Sequence, residues 1–349
     1  MSITTFASRT PGSKTLWDLR EIVTDVKWVT DMNYSAGTLT FKLVEVDEGY
    51  TPHNGDDIWF RWNGKKIFKG KVFNVKYSDD EVFDVTAYDS LRYFKNQDSL
   101  VFPASTLSQR FTTVAKLAGV KHKATKTAYK IPAEVCDSKS YFDMLKTSIT
   151  RVRRATGNHY FLADNWGVSE LRKYPYKKCN FILGDKSLLT GFSFEKSIDD
   201  AANVVRIIKE NKKKKSRETS TAKTKGKKTK TTKSTTNDPK NTSYTKTTVA
   251  GDSVAIWGKL QYIEKAKDNA NAAQMKQRAK DLLKAKNKQT YSLTLKALGN
   301  TDLVAGNSVP VQIKSLRQIG FGNKYALIKK ATHNFTVDYN VELEMRVVM

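Results

Sequence analysis

The stretch DDIWFRWNGKKIFKGKVFNVKY, residues 56–77, decides the fold class of this chain. Two runs rich in aromatic and β-branched side chains flank Asn63-Gly64, and such runs favour β-strands. Asn-Gly is the strongest short signal for a two-residue hairpin turn, because both turn positions need a positive φ angle. The stretch therefore predicts an antiparallel β-hairpin.

Neighbouring segments extend this hairpin into a β-domain. Leu39, Phe41 and Leu43 alternate with other residues, which is the period of two expected of a sheet with one buried face. A polar turn at residues 78–81 leads into a further strand pattern, VFDVTAYD. We predict that residues from about 15 to 90 form a compact antiparallel β-barrel or sandwich, within an N-terminal β-domain of residues 1–90.

The middle of the chain differs, because two amphipathic helix patterns interrupt the strands. In STLSQRFTTVAKLAG, Thr106 and Gln109 have the spacing of a capping box. A second helix is predicted from a cap at Ser140 to Gly157, and a hairpin pattern, NHYFLADNWGVSELRKY, follows it. Residues 91–180 are therefore predicted to form a small α+β domain.

The last third, residues 181–349, returns to strands, with one helix predicted over 264–286. Gly55-Asp56 and Gly306-Asn307 each open a strand that two further strands follow. This internal echo indicates a duplicated β-domain. The predicted fold is mainly β (α+β): two antiparallel β-barrel domains flank the small α+β domain, and a long basic loop is inserted in the C-terminal part.

The positive charge is concentrated in that loop. The chain carries a formal charge of +26, and residues 209–246 contain thirteen Lys and one Arg against three acidic residues, a net +11. So few apolar side chains cannot offset the entropy of ordering, which predicts an exposed loop. A solvated loop is the favoured interpretation, and a polyanion-binding arm stays open. The lysines singled out in this loop are Lys212, Lys213, Lys214, Lys215, Lys227 and Lys228.

Catalytic and metal-binding patterns are nearly absent from the sequence. Cys136 and Cys179 form no CxxC pair, and the four histidines have no metal-ligand spacing. Neither a phosphate-binding loop nor a nucleophile elbow is present. We expect no enzyme activity, no cofactor and no metal. No run approaches the ~18 apolar residues of a membrane span, so no membrane association is expected.

Four segments of the C-terminal part resemble a known family. They are SIDDAANVV at 197–205, WGKLQ at 257–261, ALGNTDLVAGNSVPV at 297–311 and KYALIKKATHNF at 324–335. Their order resembles the hub proteins of contractile phage tails and tail-like bacteriocins, of the XkdQ/YqbQ type. The opening β-domain and YDSLRYFKNQDSLVF fit the same family. The positions assigned to the family pattern are Asp199, Asp200, Asn203, Gly258, Gly299, Gly306 and His333.

The resemblance implies a homotrimer with two tail-tube-like β-domains in each subunit, which make a pseudo-sixfold ring. Such a ring adapts the six-fold tail tube to a three-fold spike. The implied partners are the chain itself, the tail tube or its initiator, the central spike and the baseplate wedge proteins. The implied location is a phage virion or headless tail-like particle, assembled in the bacterial cytoplasm.

A ring of this kind needs a surface that faces the tube. Two predicted hairpins, residues 58–77 and 309–328, are long enough to provide it. Core packing is the alternative role for each of their aromatic residues. The tube-facing candidates are Trp59, Trp62, Lys65, Lys66, Phe68, Phe321 and Tyr325.

A basic nucleic-acid-binding protein that uses segment 209–246 is the second hypothesis. It requires basic residues on a folded face with stacking aromatic side chains. The segment contains a single aromatic residue, Tyr244. We therefore rank nucleic-acid binding below the tail hub.

Overall fold

A computed structural model describes residues 2–44, 49–212, 242–266, 270–322 and 324–346. These residues divide into two units. The main unit combines the part of the chain up to Phe194 with the part from Ser292 onward, and the second unit is Glu195–Tyr291.

The described part of the chain is mainly β, with a few helices. In chain order its strands are β1 (Ile3–Arg9), β2 (Trp17–Asp18), β3 (Val23–Asp31), β4 (Thr38–Val44), β5 (Asp57–Trp62), β6 (Lys65–Tyr77), β7 (Val82–Tyr88), β8 (Gln97–Phe102), β9 (Ser105–Thr106), β10 (His122–Ala124), β11 (Lys130–Ile131), β12 (Glu134–Ser140), β13 (Tyr160–Asp164), β14 (Ser169–Lys173), β15 (Leu183–Gly184), β16 (Leu189–Ser197), β17 (Val204–Lys212), β18 (Thr242–Ala250), β19 (Gln261–Lys265), β20 (Thr290–Leu298), β21 (Ser308–Gln312), β22 (Lys324–Phe335) and β23 (Asn340–Arg346). The helices are α1 (Leu107–Leu117), α2 (Tyr141–Thr156), α3 (Val254–Trp257), α4 (Ala272–Lys286) and α5 (Lys314–Gln318), with a 3₁₀ helix at Ser90–Lys95.

Thirteen of these strands join one sheet. Its main path runs β16-β20-β23-β22-β3-β4-β7-β6-β5-β1-β2, and β21 pairs with β22 and β15 beside that path. The sequence predicted two antiparallel β-barrel domains, and the closed barrels were wrong for the described residues, in which the sheet does not close. The reason is that β3, from the first part of the chain, pairs with β22 from the last part. The edge of β3 at which the first half could close into a barrel is therefore already paired.

The hairpin predicted from Asn63-Gly64 is confirmed as β5 and β6. Both turn residues have positive φ angles, 46° and 75°, as a two-residue hairpin turn requires. Alternate residues of β5, namely Ile58, Phe60 and Trp62, are buried in the core of the first half of the sheet. The period of two therefore decides which side chains of this hairpin reach the surface.

The two predicted helices of the middle region are confirmed as α1 and α2. The Thr106 side chain accepts a hydrogen bond from the backbone N–H of Gln109, and the Gln109 side-chain oxygen accepts one from the backbone N–H of Thr106, which completes the capping box. At α2 the Ser140 side chain accepts a hydrogen bond from the backbone N–H of Asp143, and Gly157 ends the helix with a φ of 70°. Both helices pack with β8–β14 around one apolar core.

In the second unit, α4 packs against a three-stranded sheet of order β18-β17-β19. The β17–β18 ladder runs from Val204↔Ala250 to Lys212↔Thr242. Residues 209–212 and 242–246 of the predicted loop are therefore β-strand, because cross-strand pairing orders these polar residues; the rest of the predicted loop lies outside the described residues.

Two further predictions for the second unit are affected. The helix predicted over 264–286 begins only at α4, because Asn271 caps it and residues 264–265 belong to β19. Of the loop lysines, Lys212 ends β17. Lys213, Lys214, Lys215, Lys227 and Lys228 lie outside the described residues. Among the described helices, none is long and apolar enough to cross a membrane.

Candidate assembly surface

The main sheet consists of two halves with the same strand order. The first half is β3-β4-β7-β6-β5 and the second half is β16-β20-β23-β22-β21. If the five strands of each half are numbered along the chain, both halves have the spatial order 1-2-5-4-3. The internal echo in the sequence thus corresponds to a repeated topology.

In the first half, a positive-φ glycine precedes the third strand. The N–H of Gly55 donates to the carbonyl of Val72 (2.8 Å), and the N–H of Val72 donates to the carbonyl of Asp56 (2.9 Å). Gly55 has a φ of +97°, and Asp56 is fully buried. These bonds fix where the third strand begins against the fourth.

The second half repeats this arrangement bond for bond. The N–H of Gly306 donates to the carbonyl of Ile328 (2.9 Å), and the N–H of Ile328 donates to the carbonyl of Asn307 (2.9 Å). Gly306 has a φ of +92°, and Asn307 is buried. Val72 and Ile328 are therefore equivalent positions in the two halves.

The pairing irregularities repeat as well. The β6–β7 ladder shifts register between Val72 and Asn74, and the β22–β23 ladder shifts between Ile328 and Lys330. Such bulges are specific features of a strand pair. A shared bulge at equivalent positions supports a duplication of one structural unit.

A sequence signal for this duplication was missed in the sequence analysis. The second strands of the two halves read TLTFKL (residues 38–43) and SLTLKA (residues 292–297). Thr38 pairs with Tyr88 in the first half, and Ser292 pairs with Arg346 in the second. The two hexapeptides therefore occupy the same place in each half.

The candidate residues of the first hairpin divide between core and surface. Trp62 and Phe68 are buried, 4% and 2% exposed. Trp59 is half-buried and has two cations over its ring, the Arg9 guanidinium at 5.4 Å and the Lys69 ammonium at 5.9 Å. Of these three aromatic residues, Trp59 is thus the one placed where a partner can reach it.

Lys65 and Lys66 follow the hairpin turn, and both are exposed. The Lys65 ammonium donates to the Thr301 hydroxyl (3.2 Å). The Lys66 ammonium lies 5.6 Å from the centre of the Trp166 ring. Despite these contacts, both lysine side chains at the hairpin tip are accessible to solvent.

The second predicted hairpin is not a tight one, because α5 lies between β21 and β22. Phe321 is buried in the core of the second half, and its ring centre lies 6.1 Å from that of Phe194. Tyr325 is 59% exposed, with the Lys178 ammonium 5.5 Å from its ring centre. Only Tyr325 of these two candidates is placed on the surface.

Two residues of the family pattern hold the loop that follows β20. His333 is fully buried, and its Nε2 lies 3.0 Å from the carbonyl oxygen of Leu303. That oxygen only accepts, so Nε2 carries the proton, and Nδ1 accepts from the Tyr339 hydroxyl at 2.8 Å. A Cβ at Gly299 would lie 2.2 Å from the Tyr339 ring, so only glycine fits there.

Burial lowers the pKa of His333 to about 4, which keeps the imidazole neutral at pH 7. Gly306, a third residue of the pattern, faces the middle region. A Cβ on it would lie 2.0 Å from the Phe161 ring. These three pattern residues therefore support the fold.

The remaining pattern residues lie in the second unit. Asn203 is fully buried; its side chain donates to the carbonyl of Gly258 (2.7 Å) and accepts from the N–H of Leu260 (2.8 Å). This clamp fixes the chain between α3 and β19. Asp199 and Asp200 lie in an exposed turn before it.

Comparison with known proteins agrees with this architecture. The 43 kDa tail protein of prophage MuSo2 from Shewanella oneidensis superposes with a TM-score of 0.64 at 12% identity, over 98% of each chain. YqbQ of Bacillus subtilis is 27% identical over 334 residues, 91% of this chain and 92% of the relative. The PBSX protein XkdQ of the same organism is 26% identical over 301 residues, 83% and 82% of the two chains.

The fold is thus one found in prophage tail proteins. A family profile described as YQBQ-like matches residues 26–233 and 228–346. The chain belongs to the YQBQ-like family, which confirms the resemblance predicted from the sequence. Within the described residues, no group of three or more His, Cys, Asp or Glu side chains is arranged to hold a metal ion.

The equivalent glycines provide a matched pair of substitutions. We expect Gly306→Ala to lower the free energy of unfolding by about 1–3 kcal/mol more than Gly55→Ala. Both residues have a positive φ, but a Cβ at Gly55 has no atom within 4 Å, whereas one at Gly306 collides with Phe161. Urea unfolding of both variants measures the difference. Equal losses would show that Phe161 yields without cost.

The buried histidine predicts a pH dependence of stability. The folded pKa of about 4 lies below the unfolded value of ~6.5, so the unfolded state takes up the proton first. The stability that neutral His333 contributes is complete above pH ~6.5 and is lost as pH falls toward 4, by roughly 3 kcal/mol. Unfolding of the native chain and of His333→Gln across pH 7 to 4 tests this. The prediction requires a shallower decline in the variant; parallel curves would contradict it.

Proposed function

We propose that this chain is the structural central hub of a contractile-tail baseplate, assembled as a homotrimeric ring. The ring adapts the six-fold symmetry of the tail tube to the three-fold symmetry of the spike. The observation that carries this proposal is the repeated half-sheet of the main unit. A chain with two equivalent halves supplies six such units when three copies meet in a closed ring.

Family membership and fold support the same role. A prophage tail protein shares the fold over nearly the whole chain, and a relative in the family is a protein of the phage-like element PBSX. The function that follows is structural, without an enzymatic step. The partners are other copies of the chain, the tail tube or its initiator, the spike and the wedge proteins, in a phage or headless tail-like particle assembled in the cytoplasm.

The accessible candidate residues indicate which surface of the ring would face the tube. Trp59, Lys65, Lys66 and Tyr325 are the predicted tube-facing residues that the structure leaves accessible. Trp62, Phe68 and Phe321 act beneath that surface by filling the cores. Interfaces of obligate assemblies bury on the order of 2,000 Å² or more, so these residues form part of a larger contact.

The oligomeric state is the first test. We expect native mass spectrometry to show three copies of the 39.5 kDa chain, alone or once the spike protein is added. Closed symmetry makes a trimer the assembly that turns two halves per chain into six. A chain that remains monomeric with the spike in excess would refute the hub.

The hairpin tip provides a test of the tube-facing side. We expect the double variant Lys65→Glu with Lys66→Glu to impair tube growth and to bind the spike normally, because the tip faces the tube. Electron microscopy of assembled tails and a spike pull-down measure the two activities. Lys121→Glu with Lys123→Glu, the same charge change at exposed positions of the middle region, is the control. Normal tubes from the tip variant would contradict the assignment of the hairpin to the tube-facing side. Loss of spike binding would show that the tip faces the spike instead.

A further inference from the structure

The two halves of the main sheet meet along one ladder. β22 pairs with β23 on one side over residues 327–334. On the other side, its first residues pair with β21 and residues 330–335 pair with residues 26–31 of β3. The fourth strand of the second half thus pairs with the first strand of the first half.

β6 occupies the equivalent place in the first half. It pairs with β7 on one side through Tyr77, and on the other side with β5 over residues 65–71. Beyond Val72, no described strand lies on that second side. Residues 73–77, here called the β6 edge, are therefore an edge that corresponds to the part of β22 that β3 covers.

Side-chain exposure follows this difference. Counting from the equivalent residues Val72 and Ile328, Tyr77 corresponds to His333. Tyr77 is 54% exposed, whereas His333 is fully buried at the junction with β3 and lies 5.0 Å from the Trp28 ring. The same position is therefore covered in one half and open in the other.

The strand that matches β3 is β16, the first strand of the second half. β16 is the last strand of the sheet path, with β20 on one side and no described strand on the other. The N–H of Leu298 donates to Leu188 just before β16, as the N–H of Val44 donates to Ile22 just before β3. Phe192 in β16 is 41% exposed.

We propose that β16 of one copy pairs antiparallel with the β6 edge of a neighbouring copy, as β3 pairs with β22 inside each chain. Every half-sheet then joins the next in the same way, alternately within a chain and between chains. Three copies give six equivalent junctions and a sheet that continues around the ring. This inference rests on the proposed trimeric hub and names its subunit contact.

A second copy fits this edge better than an unrelated strand. An open edge exposes unpaired backbone groups that favour strand addition. Inside the chain the equivalent edges of β3 and β22 already form a ladder of six residue pairs, so the geometry of the contact is built into the repeat. Within one chain β16 and β6 are seven strand positions apart in the sheet, so their edges are available to different copies.

Cysteine cross-linking tests the contact. Tyr77→Cys is combined in turn with cysteine at Thr190, Gly191, Phe192 or Ser193, and the full-length trimer is oxidised mildly. We expect disulfide-linked copies at one register, at least about ten-fold above background, because facing cysteines in an assembly have a high effective concentration. The control pairs Tyr77→Cys with Val337→Cys, a fully exposed position in the β22–β23 turn. The native Cys136 and Cys179 are buried, so the parent chain should not cross-link.

Proline substitution provides a second measurement. Neighbouring residues of a strand direct their N–H groups to opposite sides of that strand. Of the variants Gly191→Pro and Phe192→Pro, one therefore removes an N–H that points outward, away from β20, and the other removes an N–H that faces β20. We expect the outward variant to keep its melting temperature and to lose the trimer. The inward variant should melt lower.

The outcomes separate this contact from the proposed function. A native chain that never forms trimers, even with spike present, would refute the hub and this inference with it. Trimers that form normally in both proline variants and give no cross-link at any register would overturn the edge contact alone. Cross-links at a single register, with loss of the trimer in the outward proline variant, support it.

Discussion

The ladder between β22 and β3 is the contact on which the main unit depends. It joins residues more than 290 positions apart through six consecutive residue pairs, and it places His333 opposite Trp28. Because β3 takes this edge, neither half closes on itself. The core of the first half includes Phe335 and Tyr339 from the second half, and the second half has a further core. Backbone hydrogen bonds thus decide the architecture, while the two apolar cores stabilise it.

The repeat also shows how one topology serves two environments. The Gly55 and Gly306 turns make equivalent hydrogen bonds, yet a Cβ at Gly306 would collide with Phe161 of the middle region, whereas one at Gly55 would meet no atom within 4 Å. The buried His333 and the exposed Tyr77 differ in the same way. Equivalent positions have therefore diverged according to what covers them, while the strand order that positions them has been retained.

Local signals predicted much of this fold. The Asn63-Gly64 turn, the capping box at Thr106 and the glycine end of α2 were predictable because each depends on neighbouring residues. The open sheet was not, because the β3–β22 pairing is remote in sequence and leaves no local pattern. For the candidate site, the alternation along β5 separates buried Trp62 from accessible Trp59, a distinction that residue type alone does not make. The composition of the basic segment likewise gave no indication of where strand pairing would end.

The β17–β18 ladder has a consequence for how this family can vary. Its last pair is Lys212 with Thr242, and paired residues of antiparallel strands have their α-carbons about 5 Å apart. The intervening sequence therefore leaves and re-enters the second unit at one point, whatever its length or composition. Lengthening it adds only a small entropic cost of closure. A foreign domain whose own termini lie close together can therefore be inserted at this point without disturbing the β17–β18 ladder.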